Sequence, residues 1–144
     1  MRSWLVVLGA ALLVAGTAAA QARGFIHVFH RTQTGVSPGA AAHVLGYTTA
    51  TIHVGATGTP SFNVHFLASL DGTSWTLYHC QSTARLTGHA SVAMHTVLGT
   101  GLWRCDVAGL AYLAAHITAY TGGGSVTVIG TLVQLPFRLP RPEE

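Results

Sequence analysis

Lysine is absent from all 144 residues, and Asp and Glu together number only four. Charged side chains make up 8% of the chain, against roughly a quarter in ordinary soluble domains. The surface must therefore be built from Thr, Ser, Gly, Asn and His. The seven basic residues are all arginines, at Arg2, Arg23, Arg31, Arg85, Arg104, Arg138 and Arg141. Scattered in this way, a net charge of +3 forms none of the basic stripes that nucleic-acid binding requires, so no nucleic-acid partner is expected.

The scarcity of acids also limits catalysis. Glu143 and Glu144 end the stretch "RPEE", which leaves Asp71 in a turn and Asp106 at the end of a strand. A paired-carboxylate glycosidase would need both of those. Serines in "SLDG" and "GGGS" read as turn residues, C-x-x-C does not occur, and the glycine-rich "GTGLW" and "TGGGS" lack the phosphate-binding sequence G-x-x-x-x-G-K-[ST]. Hence no enzyme, cofactor, catalytic residue or metal centre is expected, and "GTGLW" and "TGGGS" are assigned to turns.

One long apolar run is present. "MRSWLVVLGAALLVAGTAAAQARG" opens with one Arg, continues apolar from Trp4 to about Ala15, and ends in small residues in A-x-A register at Ala18/Ala20 and Ala20/Ala22. This is the layout of a secretory signal peptide over residues 1–22. The alternative is an uncleaved anchor, because extension to Ala20 approaches spanning length; Thr17 and the alanines dilute the run and favour cleavage. Export follows on either account, to a secreted, cell-surface or periplasmic location or a virion. A membrane is expected as partner only through an uncleaved N-terminal segment. In an exported chain the two cysteines, Cys80 and Cys105, favour a disulfide over two buried thiols.

Residues 23–47 hold a short strand, "RGFIHVFHRTQTG", and the connector "VSPGAAAHVLGY". From Thr48 apolar and polar residues alternate between frequent turn signals, which predicts an all-β, antiparallel β-sandwich over 48–134 with about seven or eight strands. Ala50, Ile52 and Val54 alternate with Thr51 and His53, Phe62, Val64 and Phe66 with Asn63 and His65, and Leu113, Ala115 and Ile117 with Tyr112, His116, Thr118 and Tyr120. Single strands are also expected at "WTLYHC", "ASVAMHTV", "LWRCDV" and "SVTVIGTLVQ", the last with a bulge at Gly130. The segment 135–144, "LPFRLPRPEE", has three prolines and cannot continue a sheet.

"SLDGTSW", residues 69–75, is predicted to be a hairpin tip. Asp-Gly suits a turn that needs positive φ, Asp71 can bond its own backbone, and Trp75 is expected to bury its ring in the core. The order Ser69, Asp71, Gly72, Trp75 resembles the S-x-D-G-x-x-W hairpin of discoidin-type sandwich domains. The wider pattern over roughly 48–133, with "GLWRCDVAGL" and "AYTGGGSVTV", is similar to small β-sandwich modules of tailed-phage and prophage structural proteins. That resemblance implies a jelly-roll or discoidin-like sandwich and a non-catalytic virion or surface module. The leader, the cysteine pair and the histidine load depart from it and favour an exported relative.

Nine histidines are the compositional oddity. His53, His65 and His116, with Tyr112 and Tyr120, fall on the polar phase of their strands and form a candidate ligand face for a glycan or metal. Against this stand a solvent face in which His replaces Lys, and tyrosines that fill core and rims. Protonating all nine would take the formal charge from +3 to +12 and alter association. The expected protein is a structural or adhesion module that associates with itself or with other surface or virion proteins. A secreted carbohydrate-binding module is the alternative, and a histidine-based metal-binding protein or enzyme the second.

Overall fold

Alternation from Thr49 to Gly58 and from Ser61 to Ser69 becomes pairing into sheets, with every second side chain turned inward. The structure, a computed structural model, describes residues 23–83, 93–94 and 96–134; the leader, segment 135–144, His89 and His95 lie outside the described residues. In chain order the strands are β1 (Arg23–Gln33), β2 (Ala42–His43), β3 (Thr49–Gly58), β4 (Ser61–Ser69), β5 (Thr76–Leu77), β6 (Cys80–Ser82), β7 (Ala93–Met94), β8 (Thr96–Val97), β9 (Gly101–Asp106), β10 (Tyr112–Thr121) and β11 (Gly124–Gln134). One sheet runs β1-β11-β3-β9-β6-β7; the other runs β2-β10-β4-β5, with β8 also on β4. The pairings are antiparallel, and the fold is an all-β sandwich.

Ile52 and Val54 from one sheet meet Val64, Phe66, Leu113 and Ile117 from the other in a single core. Trp103 is the indole inside it, 6.1 Å from the Phe66 ring. Trp75 is only half-buried, contrary to expectation, because it precedes the two-residue strand β5 at a sheet margin. β9, by contrast, lies between β3 and β6, so its inward residues have neighbours on both sides.

Four further expectations change. The sandwich begins at Arg23, not Thr48, because β1 pairs along β11 from Arg23↔Gln134 to Gln33↔Val126. "WTLYHC" is two strands: Tyr78 N–H still bonds Phe66 O at 2.9 Å, but Cys80 already belongs to the other sheet, so the chain crosses between layers at His79. "ASVAMHTV" is likewise divided between β7 in one sheet and β8 in the other. Gly130 is not a bulge. It pairs in register on both sides, and the shifts lie in β1, between Val28 and His30 and again between His30 and Gln33.

The first shift explains why Phe29 and His30, adjacent in sequence, are both buried: the extra residue lets two consecutive side chains turn inward. Across β6 and β9, where Gln81 pairs Arg104, the next pair outward is Cys80 and Cys105. They form a disulfide, with Cα atoms 4.4 Å apart. That separation is the spacing of about 4.5 Å expected of a directly opposed, non-hydrogen-bonded pair.

Candidate functional site

The turn from β3 to β4 sets the polarity of the sandwich. Gly58 and Ser61 lie at one end, so Thr49 and Ser69 lie at the other. At this second end the loops 44–48, 69–76 and 106–112 are tied together. Val44 N–H bonds Ala111 O at 2.8 Å, Ala111 N–H bonds Ser69 O at 3.3 Å, and Val107 N–H bonds Thr48 O at 3.0 Å.

"SLDGTSW" forms the hairpin between β4 and β5, whose pairs are Leu67↔Leu77 and Ala68↔Thr76. Asp71 Oδ1 accepts the N–H groups of Thr73 at 2.8 Å and Ser74 at 2.7 Å and the Ser69 hydroxyl at 3.0 Å; Oδ2 accepts the Ser74 hydroxyl at 3.0 Å. These bonds, led by that from Ser74 N–H, hold the Asp71 carboxyl far below the usual carboxylate range. Buried Ser69 accepts in turn from Gly72 N–H at 2.9 Å. Gly72 has φ 77°, a region where a side chain is strained, and a Cβ there would stand 3.2 Å from the Tyr112 ring.

Beside this loop is an apolar groove of about 480 Å³. Ala68, Leu70, Trp75, Tyr78 and Leu110 supply its walls, with Asp71 and Ser74 on the rim. Its size lies within the range of small-ligand and peptide sites. Tyr78 is held by its hydroxyl, which donates to Asp106 O. Trp75 leans on Tyr112 with ring centroids 6.4 Å apart, while Leu70 is 72% exposed. The groove is not visible in the sequence, because Leu110 comes to it from the 106–112 loop, distant in the chain from the hairpin and the following Tyr78.

The candidate ligand face does not assemble as one surface. His65 and His116 oppose each other directly on β4 and β10. His53 lies on β3, in the other sheet. A register shift between Ile117 and Ala119 reverses the phase of β10, so Tyr120 pairs Phe62, packs against the core and donates its hydroxyl to Gly124 O. Tyr112 stays beside His43, with ring centroids 5.2 Å apart. Burial, then His30 and His65, lower the pKa of His116. Among the described residues no cluster of three His, Cys, Asp or Glu side chains could hold a metal.

His30 is the buried histidine that alternation hid. Its Nε2–H donates to Ala115 O at 2.7 Å, and burial lowers its pKa. The sequence also contains "GVSPG", which spells G-x-S-x-G. Here it is no nucleophile elbow: Ser37 pairs by backbone with Ile117, and its Oγ accepts Gly39 N–H at 3.3 Å.

β1 is the terminal strand of the six-stranded sheet. Its pairing is regular from Arg23 to Val28, and Phe25 and Ile26 in this stretch are 52% and 67% exposed.

No family model and no curated protein matches the chain. Two solved structures share its fold. SPBc2 prophage-derived protein YomS aligns with a TM-score of 0.69 at 23% identity, covering 78% of this chain and 95% of that one. PBSX exported protein XepA aligns with a TM-score of 0.72 at 22% identity, covering 92% of this chain and 47% of XepA, so this chain spans about half of that protein. The likeness is one of fold: this chain has the β-sandwich found in a prophage-derived protein and in an exported one.

Proposed function

We propose that this chain is a non-catalytic, exported structural or adhesion module that joins a surface or virion-like assembly through the outer edge of β1, the terminal strand of its sheet among the described residues. The observation that carries this is that edge. Arg23–Val28 is a straight stretch at the end of the sheet path, with Phe25 and Ile26 exposed. Natural edges are usually blunted by lysines, prolines, bulges or covering elements. The whole chain has no lysine, and the bulges of β1 begin only after Val28. A second β1, running antiparallel, completes the backbone hydrogen bonds and sets Phe25 on one face and Ile26 on the other beside the partner strand's side chains about a two-fold axis. The secretory layout of residues 1–22 and the names of the two fold relatives support the exported, phage-related setting.

Light scattering on a sizing column tests this. The unmodified protein is expected to form dimers or larger species, and Ile26→Lys to dissociate them while the circular dichroism stays that of a β protein. A wild-type monomer at high concentration overturns the proposal.

A further inference from the structure

The groove beside Trp75 lies at the end of the sandwich that holds Gln134, the last described residue of β11. Val133 O accepts the N–H of Thr48 at 3.0 Å, Thr48 O that of Val107 at 3.0 Å, and Val107 O that of Leu110 at 3.1 Å. Three bonded steps thus lead from the end of β11 to a wall of the groove, a path of roughly 15 Å at the spacing of paired strands. Residues 135–144 follow β11 directly and read "LPFRLPRPEE". At about 3.1 Å per residue in the extended form that proline favours, this segment spans about 31 Å. It reaches the groove with length to cross it.

The chemistry of groove and segment is complementary. Proline-rich strands are recognised by grooves walled with Trp and Tyr, because their rigid rings pack flat and lose little entropy on binding. Trp75 and Tyr78 provide such walls, and Leu70 and Leu110 add apolar surface. Asp71 places an anionic carboxylate on the rim. Its Oδ2 takes one bond inside the loop, from Ser74, and a carboxylate oxygen can accept more than one. Arg138 and Arg141 flank Leu139 and Pro140, so a guanidinium can meet that carboxylate while the proline lies on the indole. We propose that the Trp75 groove is a binding site for a proline- and arginine-bearing strand, and that its occupant is residues 135–144 of the same chain. A tether this short holds the segment at an effective concentration of about millimolar.

Photocrosslinking in the full-length protein tests the assignment. Replacing Phe137 with benzoylphenylalanine is expected to give crosslinks within one chain to residues 68–78 or 107–110, read by peptide mass spectrometry. Trp75→Ala should lower their yield roughly tenfold, the loss of one aromatic contact. Arg138→Glu together with Arg141→Glu should also lower it, while an unchanged circular dichroism spectrum and unfolding midpoint show that the fold is kept. Crosslinks that join two chains, that land elsewhere, or that survive all these substitutions overturn the assignment; the groove then belongs to an outside ligand such as a glycan. Since the expected product is intramolecular, it forms whether or not β1 mediates assembly, and the two proposals fail separately.

Discussion

The ring of Phe29 lies on Gly130 of the neighbouring strand, where a Cβ would stand 2.7 Å from Phe29 Cε2. Gly130 is paired on both sides, to His27 of β1 and Ile52 of β3. The missing side chain is therefore the space into which β1 packs its one fully inward aromatic. Gly130→Ala is expected to destabilise the protein by about 1–3 kcal/mol, the usual cost of overpacking. Urea denaturation reads this, and an unchanged midpoint would mean that Phe29 has room to move.

Trp103 and Trp75 should respond to truncation to very different extents. Trp103 is 7% exposed and central, so Trp103→Ala is expected to cost about 3–5 kcal/mol. Its buried Nε1–H has no hydrogen-bond partner among the described residues. Trp103→Phe removes that unsatisfied donor and should cost less than about 1.5 kcal/mol. Trp75→Ala, at the half-buried rim, is expected to cost about 1 kcal/mol, near the middle of ordinary substitutions. Thermal unfolding of the three variants checks the order; a Trp75 variant as unstable as Trp103→Ala would contradict it.

The Cys80–Cys105 bridge closes a loop of sequence separation 25. In the chain-entropy account such a loop stabilises the fold by about 3 kcal/mol. Paired urea titrations with and without reductant should differ by that order, and Cys80→Ser with Cys105→Ser should abolish the difference.

His30 makes stability depend on pH. Its folded-state pKa lies below the ordinary value of 6.5 because burial disfavours the imidazolium. Below 6.5 the unfolded chain binds a proton that the folded chain refuses, so stability is fully present above that pH and is lost as the pH falls toward the folded-state value. His116, also lowered and paired opposite His65, acts in the same direction. His30→Gln keeps a donor for Ala115 O and should flatten the loss as the pH falls below the ordinary value of 6.5. Equal slopes for the two proteins would show that the dependence arises elsewhere.

Alternation was enough to reveal the interior wherever a strand runs without a break. Ile52, Val54, Phe62, Val64, Phe66, Leu113, Ala115 and Ile117 are all inward and buried, as their period of two requires. The hairpin at Asp71 was legible for a similar reason, since its hydrogen bonds all fall within residues 69–74. Where a strand contains an irregularity the same pattern misleads. One extra residue near Thr118 turns Tyr120 away from the face of Tyr112, and one near Phe29 brings His30 inside. The groove was not legible at all, because Trp75, Tyr78 and Leu110 meet only when two loops fold against each other.

By itself the sequence determined the fold class and the chemistry of the turn, because each depends on residues close along the chain. Only the tertiary structure decided which tryptophan is central, where the chain changes sheets, and which strand is left at the edge. Those follow from register and strand order, which depend on pairings between distant residues and change with a single inserted one.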